Sequence, residues 1–203
     1  METSHGGLAQ LGERLLCTQK VSGSSPLTST FHLAVHQMIV QPKLQNGRLR
    51  KARTGDVSSI QKLINGYAEQ GAMLPRSLSE LYENIRDFYV VEETAEIVGC
   101  AALHVSWKDL AELKSLAVEV KSQGKGYGRL LVNACVGEAG ELGLDRVFAL
   151  TYVPEMFEKM GWTRIDKALL PRKIWTECVY CPKFPDCGEV AMLLEVGQEV
   201  KAG

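Results

Sequence analysis

The run Gln123-Gly124-Lys125-Gly126-Tyr127-Gly128 sets glycines at alternate positions, directly ahead of an apolar helical pattern. Glycine lets a backbone come close to a phosphate and adopt left-handed dihedrals. A helix beginning there offers N–H groups without partners and the positive end of its dipole. Such a corner suits a pyrophosphate. Lys125 and Arg129 add positive charge beside it. A Rossmann loop would open the first βαβ unit of its domain, with an acid about 20 residues later. Here the run lies deep in the chain, behind several strand patterns. The P-loop signature G-x-x-x-x-G-K-[ST] is absent. A diphosphate cradle of another kind and an ordinary glycine turn remain.

The second chemical feature is Cys178-x-x-Cys181 followed by Cys187. The pair has the spacing that chelates Zn²⁺, and Cys187 could supply a third thiolate. A fourth ligand is not visible in sequence; His104 or Cys100 would have to be brought there by the fold. Reduced thiols packing a loop and a redox pair of lowered thiol pKa are the competing readings.

Stepping outward, the periodicity supplies elements to hold these residues. A strand is expected over 49–52. Thr54 is placed to cap a helix whose apolar face is Val57, Ile60, Leu63, Ile64 and Tyr67, with Asp56 in the first turn. Gly71 can stop that helix. Ser77-Leu78-Ser79-Glu80 fits a capping box for a second helix. Residues 88–92 and 97–105 read as a hairpin around a polar turn, and 111–120 as another strand. The helix after the glycine run has Tyr127, Leu130, Leu131 and Ala134 on its inner face, and Gly143 can end it. A strand over 147–151, a short helix opened by Pro154 and closed by Gly161, and strands over 162–165 and 189–195 follow. His104 and Trp107, beyond the hairpin, are placed to edge a cleft, although a lone His after a strand is more often structural. The order implies a mixed layer fold, with helices covering a mostly antiparallel sheet.

The chain has 203 residues, a formal net charge of −1 and six cysteines. That length suits one domain with a substantial core plus an appendage. Near-neutral charge argues against nucleic acid as the main partner. No apolar run approaches the roughly 18 residues of a membrane span, and the start lacks a secretory signal pattern. A reducing cytoplasm is therefore expected, with thiols rather than disulfides. Residues 1–47 are rich in Ser, Thr, Gly and Gln. They read either as a disordered extension or as a start placed too far upstream, since the early run resembles a translated transfer-RNA gene and Met38 offers a later start. A catalytic domain is expected over 48–197 and a flexible tail over 198–203.

The run 123–128 satisfies every position of Q/R-x-x-G-x-G/A, the pyrophosphate loop of the GNAT acetyltransferases. Gly99-Cys100-Ala101-Ala102-Leu103, the strand from Ala111 to Val118, Phe148-Ala149-Leu150-Thr151 and Phe157-Glu158-Lys159-Met160-Gly161-Trp162 carry the resemblance further. Together they resemble the short, single-domain bacterial N-acetylglutamate synthases. The resemblance implies an α+β GNAT fold, a mixed and mostly antiparallel sheet with helices on both faces. It implies acetyl-CoA in a cleft where two strands splay apart, and transfer of its acetyl group to the amine of an amino acid, glutamate first and glutamine next. That activity would open arginine biosynthesis.

Residue by residue, the resemblance gives Leu116, Ala117 and Val118 to the pantetheine. It gives Gln123, Gly124, Lys125, Gly126, Tyr127, Gly128 and Arg129 to the pyrophosphate. Glu112 stands where the family keeps an acidic base; its bland alternative is a surface pair with Lys114 or Arg129. Many relatives use a Tyr as the acid, but Phe157 occupies that position and cannot donate. Thr151 matches the hydroxyl of the glutamate-acetylating relatives, with Tyr152 a neighbouring competitor. Arg76 and Lys173 would meet substrate carboxylates, Arg172 being as near as Lys173. A homodimer is a family expectation only. Acetylation of another small-molecule or protein amine, and a non-catalytic acyl-CoA sensor, are the alternative functions; the latter could dispense with Glu112.

Overall fold

The computed structural model describes residues 47–171, 183 and 187–196. These form β1 (Gly47–Lys51), α1 (Val57–Glu69), α2 (Leu78–Glu83), β2 (Phe88–Glu93), β3 (Glu96–Trp107), β4 (Leu110–Val118), α3 (Tyr127–Glu141), β5 (Arg146–Thr151), α4 (Pro154–Glu158), β6 (Thr163–Ile165) and β7 (Val190–Glu195). One seven-stranded sheet runs in the order β1-β2-β3-β4-β5-β7-β6. Every neighbouring pair is antiparallel except β4 and β5, which are parallel. The expected mixed sheet, covered by helices on both faces, is what forms.

Side-chain alternation along the strands divides the core between the faces. Val91, Ala101 and Leu103 pack with Leu130, Leu131 and Cys135 of α3. Their neighbours Val90, Cys100 and Ala102 pack with Val57, Ile60 and Ile64 of α1 and Leu81 of α2. Burial on both faces explains why residues 98–103 read as an unbroken apolar run. A third cluster joins Leu110, Phe148, Leu170 and Ala191 beneath the β5–β7 side.

Local details depart from expectation in instructive ways. The α3 stripe runs through Tyr127, Leu131, Cys135 and Ala139, all buried. A four-residue spacing carries the stripe past Ala134, which is only half-buried. Ser77 does cap α2: its Oγ accepts the Glu80 amide at 3.2 Å, and Glu80 accepts the Ser77 amide at 2.8 Å. Thr54 caps nothing. A 3-10 turn at Thr54–Asp56 precedes α1, and the N-cap is Asp56. The Asp56 side chain makes no capping bond to α1; its carboxylate accepts from Arg50 of β1 at 2.6 and 3.0 Å and from the Arg53 amide at 2.7 Å. Arg50 also reaches Glu92 of β2 at 2.8 Å. Trp162 precedes β6 rather than joining it, its ring 5.0 Å from that of Phe157 in an edge-on stack. No helix among the described residues is long and apolar enough to cross a membrane.

The Arg50 guanidinium holds the Asp56 carboxyl below the ordinary carboxylate range. The pair's contribution is therefore present above the unfolded carboxyl pKa and is lost as pH falls through the lowered one. Asp56→Asn should cost about 1–2 kcal/mol at pH 7. That deficit should shrink steadily in urea titrations carried from pH 5 downward. A deficit independent of pH would contradict this reading.

Candidate active site

The parallel ladder between β4 and β5 is short. Leu110 pairs with Arg146, Ala111 with Val147 and Glu112 with Phe148. Beyond that point β4 stays on β3 as far as Val118, and β5 stays on β7 as far as Thr151. The strands part, and a cleft of about 1200 Å³ opens between them. No strand among the described residues pairs with the β5-facing edge of 113–118. Its amides and carbonyls can therefore serve an extended ligand rich in peptide-like groups.

A bulge sets which way β4 points its side chains. Its register against β3 shifts between Cys100 and Ala102, where Ser115 has φ +55°. Such a backbone costs a non-glycine residue roughly 1–2 kcal/mol. The extra residue reverses the phase of the strand. Ala111 and Leu113 pack on the α3 side, whereas Ala117 packs on the α1–α2 side. Glu112 and Lys114, in the opposite phase ahead of the bulge, accordingly face α1 and α2. Leu116 and Val118, beyond it, pack against the α3-side core.

The glycine run closes one end of the cleft. Gly124 and Gly126 have φ of +76° and +84°, and a Cβ added at either would meet nothing within 4 Å. The dihedrals demand glycine there, and the space beside them is open. Gly126 is the N-cap of α3. The amides of Gly126, Tyr127, Gly128 and Arg129 have no acceptor within the helix. The Tyr127 side chain is buried in the core, its ring against Gly47, so only its backbone faces the ligand space. Lys125 is held by both oxygens of Glu93 at 2.9 Å, and its ammonium keeps that carboxyl below the ordinary range. Gln123 donates to the Tyr67 hydroxyl at 2.8 Å and to the Val118 carbonyl at 3.4 Å; Tyr67 itself donates to that carbonyl. Tyr67 thereby ties α1, the end of β4 and the start of the loop. Sequence periodicity showed it only as part of an apolar stripe.

Polar groups gather at the fork. Glu112 and Lys114 are 17% and 16% exposed, with Lys114 Nζ 4.0 Å from Glu112 Oε2. Buried Thr151 ends β5, and its Oγ1 accepts the Val153 amide at 3.1 Å, which leaves the hydroxyl proton to be donated. The competing Tyr152 hydroxyl receives Lys183 Nζ at 3.1 Å. Burial raises the Tyr152 pKa despite that lysine. Arg76 comes from the loop between α1 and α2. Its main chain is fixed by Asn65, which accepts its amide at 2.9 Å, and by Gln61, which donates to its carbonyl at 3.1 Å. Its guanidinium lies 3.3 Å from Glu80. Glu112, Thr151, Arg76, residues 116–118 and most of the glycine run all line the one cleft. Lys125 does not join that lining, and its side chain is committed to Glu93 instead. Lys114, Lys167 and Lys183 also line it, and none stood out in sequence as a ligand. Buried Phe157 forms part of the wall and supplies no proton.

Lys173, its neighbour Arg172, Cys178 and Cys181 fall outside the described residues. Cys187 lies inside, with its thiol 3.4 Å from Glu189. The zinc expectation gains no support: among the described residues no three His, Cys, Asp or Glu side chains are grouped to hold a metal. His104 is engaged with Asp87 at 2.8 Å. Cys100 is sealed in the core, where burial pushes its thiol up to about 12. Trp107 is exposed at the β3–β4 turn and does not edge the cleft.

The acetyltransferase (GNAT) family pattern matches residues 57–162. An uncharacterised N-acetyltransferase of Chlorobaculum tepidum is 41% identical over 71% of this chain and 94% of its own length. An amino-acid acetyltransferase of Mycobacterium tuberculosis is 37% identical over 64% of this chain and 75% of its own. Amino-acid acetyltransferases of Neisseria meningitidis are 35% identical over 61% of this chain, which spans only 29% of their length. Among solved structures, a Mycobacterium tuberculosis protein in complex with CoA superposes with a TM-score of 0.65 at 34% identity, covering 74% of this chain and 99% of that one. The N-acetylglutamate synthase of Neisseria gonorrhoeae, complexed with coenzyme A and N-acetyl-glutamate, gives 0.67 at 28% identity over 75% of this chain and 35% of that one. With a parted β4–β5 pair, a glycine-capped helix at its mouth and relatives of this kind, the chain belongs to the acetyltransferase (GNAT) family and is an acetyl-CoA-dependent acyltransferase.

Proposed function

We propose that the chain acetylates the α-amine of an amino acid, with L-glutamate as the acceptor, the step that opens arginine biosynthesis. The observation that carries this reading is the fork itself. A carboxylate, a hydroxyl donor and an arginine with a fixed main chain line the same cleft, which opens where β4 and β5 part. The Neisseria gonorrhoeae relative, solved with N-acetyl-glutamate, supports glutamate as the acceptor. We place the activity in the cytoplasm, where Cys100, Cys135 and Cys187 stay thiols.

In this reading the amides at Lys125, Gly126 and Gly128 bind the diphosphate of acetyl-CoA, assisted by the dipole of α3. Arg129, exposed at the cleft, adds charge. The free edge of Leu116, Ala117 and Val118 pairs with the pantetheine and delivers the thioester to the fork. Arg76 binds a carboxylate of the amino acid, and Lys173 adds a second cation. Such positioning contributes several kcal/mol to the rate. Glu112 takes a proton from the substrate ammonium, directly or through water, so that the nitrogen lone pair can attack the thioester carbonyl. As the new C–N bond forms, the C–S bond breaks, and the Thr151 hydroxyl donates to the departing thiolate. A hydroxyl that already accepts the Val153 amide is well oriented for this.

Glu112→Gln should lower kcat by about 100-fold or more while coenzyme A affinity stays unchanged, read by thiol release and by calorimetry. Full turnover in this variant would remove Glu112 from the mechanism. Gly126→Ala forces a Cβ into a left-handed backbone at a cost of about 1–2 kcal/mol. It should weaken coenzyme A binding about tenfold and leave the affinity for the amino acid alone. Assaying thiol release against the twenty amino acids tests the acceptor directly. L-glutamate should give the highest kcat/KM, and a better neutral or basic acceptor would overturn that assignment.

A further inference from the structure

On the α1–α2 side of the fork lies a second, smaller cavity of about 230 Å³. Arg76, Lys114 and Ser115 line both this space and the main cleft, so the two meet at these residues. The inner wall carries two acids, and both are engaged. Asp87 pairs with His104 at 2.8 Å. Glu80 accepts from the Ser77 amide and hydroxyl, each at 2.8 Å, and pairs with Arg76. The Lys114 ammonium stands at the junction, shielded from solvent and next to Glu112. At 4.0 Å that contact is an ion pair without a direct hydrogen bond.

The spacing suits an acidic amino acid. Glu112 and Lys114 lie two apart on β4 with side chains on one face, and their charged ends stand 4.0 Å apart. A glutamate spans roughly 5 Å from its α-nitrogen to its side-chain carboxylate, from ordinary bond lengths. An acceptor whose nitrogen meets Glu112 therefore reaches Lys114 with its other end. A cavity of this size holds the volume of roughly seven waters, ample for a two-methylene side chain with its carboxylate.

We propose that the side chain of the amino-acid acceptor enters this small cavity and that Lys114 binds its terminal carboxylate, which makes Lys114 the residue that selects an acidic side chain over its amide. The proposal rests on the amino-acid reading given above. Arg76, which lines the same junction and pairs with Glu80, would meet the α-carboxylate. Replacing the carboxylate by an amide exchanges a charge-assisted contact for a neutral one at a shielded site, the kind of change that separates closely similar substrates.

The test measures KM and kcat for L-glutamate and L-glutamine in the parent enzyme, in Lys114→Met and in Lys114→Arg. Amino-acid binding to the coenzyme A-loaded protein is followed by calorimetry. Lys114→Met should raise the glutamate KM about 10- to 100-fold, the size expected for a lost charge-assisted contact. Its glutamine KM should move less than about threefold, so the preference collapses. Lys114→Arg should keep the preference. If Lys114→Met does not fold, as judged by lost coenzyme A binding, Lys114→Gln replaces it and is read by the same ratio. The proposal is overturned if both acceptors weaken together. It is also overturned if only kcat and its pH profile move while the KM ratio holds, since Lys114 would then act through Glu112 alone. Failure of the underlying function looks different: the parent itself would turn over no amino acid.

Discussion

The parting of β4 from β5 beyond Glu112 and Phe148 governs the rest of the molecule. A sheet interior ordinarily keeps its ladder, because buried amides and carbonyls without partners are costly. Here the ladder stops, and the two strands are held apart by their outer neighbours, β3 on one side and β7 on the other. The far end of β4 is pinned by the Tyr67 and Gln123 contacts to the Val118 carbonyl. The cleft is therefore fixed by pairings on its two outer sides and by the anchored end of β4.

A single strand presents side chains to both faces of the sheet because it changes phase. Ahead of the Ser115 bulge, β4 turns Glu112 and Lys114 toward α1, α2 and Arg76. Beyond it, Leu116 and Val118 turn toward the α3-side core, while the backbone edge follows the gap to the glycine run. Bulges beside active sites re-aim side chains in this way. The charges are sorted by the same geometry. Lys125 is drawn off by Glu93, so the proposed diphosphate corner would draw on backbone amides, the α3 dipole and Arg129 rather than on a lysine at the center of the loop.

The conformation of the glycine run was legible in the sequence because it is set locally. Gly124 and Gly126 need positive φ, and a helix must follow at once. The Ser77 capping box and the α1 stripe were legible for the same reason. The bulge was not, because Leu116-Ala117-Val118 is a continuous apolar run that sets no phase beyond Ser115. Lys114 stood in the sequence only as a surface partner for Glu112, because a lysine on a strand ordinarily faces solvent. Thr54 looked like a cap because Ser, Thr and Asp caps compete on equal terms locally. In the fold a 3-10 turn at Thr54–Asp56 comes first, and the Asp56 carboxylate turns to Arg50 instead of the helix amides. Long-range pairs such as Lys125 with Glu93, and Tyr67 with Val118, have no sequence periodicity at all. Thr151 and Arg76 came from resemblance, and the fold brings both to the cleft.

Amide hydrogen exchange on the purified chain, with and without coenzyme A, tests the fork most directly. Protection should rise in two stretches, 113–118 on the open edge of β4 and 124–129 at the start of α3, with little change on the outer strands β1 and β6. Protection confined to other surfaces, or no change at saturating coenzyme A, would contradict the account.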